Sequence, residues 1–265
     1  MQIKGKVVVV TGGADGIGRA LVQRFHQEGA KSIVVADMNT AGALSVAKSV
    51  GGRAVRCDVG SEKDIQGLVA ETERDVGPIG LFCSNAGIAN FGGGADDCTS
   101  SSNEQWQRGW QVNVMAHVYA ARACLPAMIA RGGGTFLNTV SAAGLPNQIG
   151  DPVYAATKHA AVSFAENLAI THHHQGIRVS MLCPQAVETT MLREVGEGAQ
   201  NVDGVFSPYE VARCVVEGLA VDKFLILAHP EGDHMRKKTE NYDRWIGGMV
   251  ELRRSFTQQS ALCLR

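Results

Sequence analysis

Tyr154 and Lys158 are four residues apart, and Ser141 lies thirteen residues before the tyrosine. On a helix, side chains at i and i+4 share a face, so the lysine ammonium can stand near the phenol oxygen. A free phenol titrates near ~10, too high for a base at neutral pH, and a neighbouring cation favours the phenolate. Ser141 falls where a strand is expected to end, placed to hold a substrate oxygen by hydrogen bond. Together the three could move a proton at an alcohol or carbonyl oxygen. Taken alone, Tyr-x-x-x-Lys is also a common surface pair, so the rest of the chain must decide.

A second constellation lies near the N-terminus. Gly12, Gly16 and Gly18, with Asp15 and Ile17 between them, sit where an apolar run ends and a helical period begins. That junction brings backbone N–H groups and the positive end of a helix dipole to one point, as a phosphate requires. Gly12 permits the tight turn, Gly16 the approach of a pyrophosphate, and Gly18 close packing of helix on strand. Asp37 closes the next expected strand nineteen residues after Gly18, close to the ~20 of a ribose-binding acid. Its carboxylate accepts from the 2′- and 3′-hydroxyls of adenosine and repels a 2′-phosphate. The neighbouring Met38 brings no compensating charge and Asp15 is a second acid. NAD is therefore expected rather than NADP.

These residues need a frame. Apolar runs at 7–10, 32–36, 54–57, 79–84, 135–139, 177–182 and 224–227 read as strands. Helical periods fill 17–29, 41–50, 62–76, 106–131 and 152–174. Strands alternating with helices imply right-handed βαβ crossovers. The expected fold is a doubly wound α/β domain with a parallel sheet of about seven strands and helices on both faces. Residues 1–230 read as one catalytic domain. Residues 231–265 form a charged, aromatic tail, expected to be helical and to act as a lid or subunit contact. Residues 89–103, rich in Gly, Ser, Asp and Thr, read as a surface loop, with Gly92–Gly94 as a mobile rim.

In this order and spacing the chain resembles the short-chain dehydrogenase/reductase family over about residues 1–230. The elements that carry the resemblance are the loop from Thr11 to Gly18, Asp58-Val59, Asn85-Ala86-Gly87, Asn113, Ser141, Tyr154 and Lys158. It implies a Rossmann-type fold and NAD-dependent interconversion of a secondary alcohol and a ketone. Tyr154 would be the general acid/base and Ser141 would steady the substrate oxygen. Lys158 would lower the phenol pKa and bind the nicotinamide ribose, and Asn113 would anchor a water in the proton relay. Asp58 and Val59 would flank the adenine; Asn85, Ala86 and Gly87 would stabilise the sheet and line the cofactor channel. Pro184, Val187 and Thr189 would complete the nicotinamide side, Val187 meeting the carboxamide. Gln185 departs from the family, which usually has glycine there, and altered substrate fit is expected rather than lost cofactor binding. The family usually forms dimers or tetramers, and alanine-rich helices near 110–129 and 155–170 suit such packing. An epimerase, a double-bond reductase, or an NAD-binding regulatory module without turnover are the competing readings.

Composition narrows the partners. The 265 residues carry 25 basic and 26 acidic side chains, and 45% are hydrophobic. The longest basic run, Arg236-Lys237-Lys238, is short and flanked by acids, so no nucleic-acid partner is expected. The most apolar stretch, 116–130, contains Arg122 and Pro126, and no membrane span is expected. Seven cysteines, an odd number with no C-x-x-C pair, read as reduced thiols of a cytoplasmic protein. Substrate contacts are expected from 89–96, 142–151 and 190–206. These carry few basic groups beyond Arg193, which favours an uncharged, fairly apolar small molecule. No metal is expected: adjacent histidines at 172–174 point about 100° apart on a helix. His229 and His234, taken as loop residues without an acidic partner, read as structural. Trp245, Tyr242 and Met249 read as a core or interface face rather than a substrate wall.

Overall fold

The computed structural model describes residues 1–89, 97–195, 201, 203–229 and 231–263; the expected rim at Gly92–Gly94 lies outside the described residues. Strands β1 (Val7–Thr11), β2 (Ser32–Asp37), β3 (Arg53–Arg56), β4 (Ile79–Ser84), β5 (Gly134–Thr139), β6 (Ile177–Cys183) and β7 (Leu225–Leu227) form one parallel sheet. Their order is β3-β2-β1-β4-β5-β6-β7. The chain reverses direction across the sheet between β1 and β4, and a crevice opens there beyond the strands' carboxyl ends, where such sheets bind ligands.

Unbroken valines in β1 follow from cover on both faces. Alternate residues of the central strands enter two separate cores. Val8, Val10, Val35, Leu81 and Leu137 pack under α1 (Gly16–Gln27), α2 (Thr40–Ser49) and α8 (Pro208–Ala220). Val9, Val34, Phe82 and Phe136 pack under α3 (Glu62–Asp75), α5 (Ala116–Ala130) and α6 (Pro152–His172).

The helix expected over 106–131 is three pieces: α4 (Asn103–Trp110), a π-helical turn Gln111–Met115, and α5, which runs through Pro126. The stretch Asn103–Ala130 is long and apolar enough to cross a membrane by length and composition, and half of its most apolar window is buried inside this fold. The helix expected over 152–174 ends at His172, followed by a short 3-10 turn and Gly176 at φ +81°. Two helices were not anticipated, α7 (Thr190–Val195) and α8. The second carries a legible start signal: Ser207 and Glu210 form a reciprocal capping box ahead of Pro208. The C-terminal tail forms α9 (Glu231–Glu240) and α10 (Tyr242–Cys263).

Candidate active site

A cavity of about 510 Å³ opens at the crevice between β1 and β4. Its glycine wall is dictated by space. Gly12 (φ +64°) would put a Cβ 2.9 Å from the Ala86 Cα, and a Cβ on Gly18 would fall 2.0 Å from the Gly12 carbonyl oxygen. Gly16 (φ +51°) would press on Thr189 at 2.9 Å. Only glycine leaves this cradle open. Asp15 stands at the start of α1 without a side-chain capping bond, its carboxylate accepting instead from the Thr190 hydroxyl at 2.6 Å. That bond, with further help from the Gly16 N–H and Arg193, holds Asp15 below the usual carboxylate range.

Asn85, just past β4, ties the ends of its two neighbouring strands: its Nδ2 donates to the Thr11 carbonyl of β1 at 3.0 Å and its Oδ1 accepts from the Thr139 hydroxyl of β5 at 3.0 Å. Asp37, at the end of β2, accepts from the Ala14 N–H at 3.1 Å and the Asn39 N–H at 2.9 Å. The exposed Met38 lies beside it. Asp58 and Val59 border the same end, with Arg108 of α4 3.5 Å from the Asp58 carboxylate. Arg108 had no sequence signal, because its meeting with Asp58 spans fifty residues.

At the other end of the cavity stand Ser141, Tyr154 and Lys158. Asp151 caps α6 by accepting from the Tyr154 N–H at 3.0 Å, which sets the tyrosine at the first turn. Ser141 follows β5, and its Oγ accepts from the Ala143 N–H at 3.1 Å. Lys158 is 3% exposed; its Nζ donates to the Thr139 carbonyl at 3.3 Å and lies 5.5 Å from the Tyr154 ring centroid. The expected lowering of the phenol pKa by Lys158 is not what this geometry produces. Burial pushes Tyr154 up to about 12, with a Ser141 hydrogen bond working the other way, and pushes Lys158 down to about 8. The reason is that both groups lose water, and the ammonium faces the ring rather than the hydroxyl.

Asn113 does not border the cavity. It is fully buried in the π-helical turn, and its amide bonds both the N–H and the carbonyl of Ile88, at 3.0 and 2.9 Å, and the Thr157 hydroxyl at 3.1 Å. It reaches the site through Gly87: a Cβ there would lie 3.4 Å from both the Asn113 Oδ1 and the Lys158 Nζ. The Asn113 Oδ1 and the Lys158 Nζ thus approach Gly87 from the same side.

Pro184, Val187 and Thr189 border the cavity. Gln185 also borders the cavity, with its side chain tied to Asp203. Its N–H faces His229 Nδ1 at 3.4 Å and its Nε2 donates to Asp203 Oδ2 at 2.7 Å. The same oxygen pairs with His234 Nε2 at 2.9 Å. Burial raises the Asp203 pKa, but the hydrogen bonds from Gln185 and His234 outweigh it and hold the carboxyl low. His234, expected as a structural loop residue without an acidic partner, instead lies on α9, pairs with Asp203 and borders the cavity. Trp245 and Met249 of α10 also border the cavity, contrary to the core or interface role expected. Among the described residues no three His, Cys, Asp or Glu side chains group as metal ligands.

Comparison with known proteins yields consistent likenesses. A family model described as short chain dehydrogenase matches residues 6–200. A 2,5-dichloro-2,5-cyclohexadiene-1,4-diol dehydrogenase of Sphingobium indicum is 35% identical over 214 residues, covering 78% of this chain and 81% of the relative. A solved short chain dehydrogenase/reductase from Burkholderia phymatum, in complex with NAD, superposes with TM-score 0.80 at 27% identity, over 92% of this chain and 96% of that one. A 3-ketoacyl-(acyl-carrier-protein) reductase from Brucella melitensis, complexed with NADH, gives 0.79 at 26%, over 86% and 98%.

Proposed function

The chain belongs to the short-chain dehydrogenase/reductase family, an oxidoreductase acting on CH–OH groups, and from that premise we propose that it is NAD-preferring, takes an uncharged and fairly apolar secondary alcohol or ketone, and uses Tyr154 as its general acid/base. The observation that carries this reading is one cavity holding a glycine cradle and Asp37 at one end and Tyr154, Ser141 and Lys158 at the other.

The cradle fits a dinucleotide. Gly12, Gly16 and Gly18 are the positions where a Cβ would fill it. When bound, the nicotinamide supplies the two-electron hydride acceptor or donor. Asp37 supports NAD because its carboxylate, fixed by two backbone N–H groups, repels a 2′-phosphate. Asp58 and Val59 hold the adenine side, and Pro184, Val187 and Thr189 the nicotinamide side.

At the reacting end, Tyr154 acts as base in its phenolate form, taking the carbinol proton at the phenol oxygen to become the neutral phenol, and as that phenol it returns the proton in the reverse direction. Ser141 holds the substrate oxygen beside the phenol. Lys158, still mostly protonated at physiological pH but titrating just above it, exchanges protons on the side where its Nζ and the Asn113 Oδ1 approach Gly87. Lys158 also binds the nicotinamide ribose. The Gln185 side chain, tied back to Asp203, supports altered substrate fit with cofactor binding kept. We also assign the small-molecule enzyme to a homo-oligomer, supported by Trp110 and Ile170, large apolar side chains left exposed near α5 and on α6; light scattering after size exclusion reads the count.

The test is reduction of NAD and of NADP, followed by absorbance, over a panel of secondary alcohols. NAD turnover that Tyr154→Phe abolishes is the expected result. Dinucleotide binding with no alcohol or ketone reacting would leave only a binding module, and equal use of NADP would remove the role given to Asp37.

A further inference from the structure

We propose that Lys238 is the positioning residue that makes Trp245 a wall of the substrate site, and that this wall selects alcohols with large apolar substituents. The inference rests on the reaction assigned above and adds the substrate class and the residues that set it.

Helix α9 is fastened on both sides of the reacting centre. On one side His234 holds Asp203, which holds Gln185 just after β6. One helical turn further, on the same face, Lys238 reaches the segment that leaves Ser141. Its Nζ donates to the Leu145 carbonyl at 2.8 Å and the Pro146 carbonyl at 2.7 Å. The third contact is His159 Nε2 at 3.3 Å. His159 Nδ1 lies 2.9 Å from the Ala155 carbonyl, which can only accept. Nδ1 therefore carries the ring proton and Nε2 accepts from Lys238. All three ammonium protons are used.

The same ammonium stands 5.1 Å from the Trp245 ring centroid and 5.6 Å from that of Tyr242. A cation over an aromatic face attracts it. The indole is thus registered against the segment beginning at Ser141, and so against the reacting centre rather than the adenine end. Trp245 borders the cavity with Met249 and Leu252, at i+4 and i+7, one apolar face of α10. Neither Lys238 nor Trp245 touches the reacting groups. Lys238 acts through Trp245, and Trp245 through the apolar area it covers on a substrate.

Alkan-2-ols from propan-2-ol to decan-2-ol test this with NAD, in the wild type, Lys238→Met, Lys238→Arg and Trp245→Ala. In the wild type kcat/KM rises with chain length, by up to about fourfold per methylene that the wall covers. Lys238→Met and Trp245→Ala flatten that slope to less than half through higher KM for the longer alcohols, and Lys238→Arg, which keeps the cation and donors, retains most of it. A residue that merely fastened the tail would shift the thermal midpoint and leave the slope intact. A flat wild-type slope, or an unchanged slope in Lys238→Met, overturns the proposal. Calorimetric titration of octan-2-one against propan-2-one into the protein–NADH complex separates the two claims. If no alcohol is oxidised but octan-2-one binds more tightly and Lys238→Met removes the difference, the wall stands and the assigned reaction falls. If neither variant changes the preference, the wall falls.

Discussion

Lys158 stands over the face of the Tyr154 ring, its Nζ 5.5 Å from the ring centroid and bonded to the Thr139 carbonyl at 3.3 Å. Four residues apart on α6, the two side chains meet as the helical spacing requires, yet burial raises the phenol to about 12 and lowers the ammonium to about 8. The pair therefore begins as neutral phenol beside a lysine that titrates near physiological pH. Tyr154→Phe leaves Lys158 in place and removes only the oxygen that moves the proton. Its kcat should fall by ~10²–10⁴, with NADH still binding. Steady-state kinetics beside a fluorescence titration reads both.

Asp37 is held from two sides, by Ala14 and Asn39 N–H groups, so its charge is fixed at the cavity. Asp37→Ser removes that charge and keeps a short hydroxyl acceptor. The ratio of kcat/KM for NAD over NADP should fall by about tenfold to a hundredfold, the worth of one or two lost charge-assisted hydrogen bonds. An unchanged ratio would move the discrimination to Asp15.

Much of this architecture was legible in order along the chain. The valine run of β1, the glycines after it and the acid ending β2 are local signals, and each falls where its neighbours demand. The π-helical turn at Gln111–Met115 was not legible, because apolar periodicity continues through it and only the backbone hydrogen bonds change. The capping box of α8 was present in Ser207 and Glu210. Other parts lie beyond local pattern. Gln185, Asp203 and His234 converge from three separate segments, and no spacing rule links them. The reversal of the Tyr154 and Lys158 pKa values comes from burial, which only the fold determines.

Lys158 illustrates a functional group held against stability. Its folded pKa of about 8 lies below the 10.5 of an unperturbed lysine. Below about pH 8 both folded and unfolded chains are protonated and the full penalty for burying the ammonium applies. Between about 8 and 10.5 the unfolded chain binds more protons, so stability rises with pH and the penalty fades. Lys158→Met should therefore raise unfolding stability near neutral pH by about 2–3 kcal/mol, with the gain vanishing towards pH ~10.5. Denaturant melts at stepped pH measure it; a gain independent of pH would assign the effect to packing instead.

His117 carries a pH dependence of the same sign in a lower window. It lies one turn after Asn113 in α5, is 2% exposed, and neither ring nitrogen has a hydrogen-bond partner. Burial first, and then the Lys158 charge, lower its pKa from 6.5 to about 3. Above about 6.5 the imidazole is neutral in both states and contributes no slope. As pH falls from about 6.5 towards 3, only the unfolded chain takes up the proton, so the fold loses stability through that window. His117→Leu removes the titrating group while keeping an apolar side chain of similar reach. Relative to wild type, the variant should gain about 2 kcal/mol more at pH ~4.5 than at pH ~7.5. Urea midpoints at the two pH values decide it. Equal changes at both would mean that the buried imidazole is protonated in the folded protein, which requires an anionic or acceptor partner that the ring does not have.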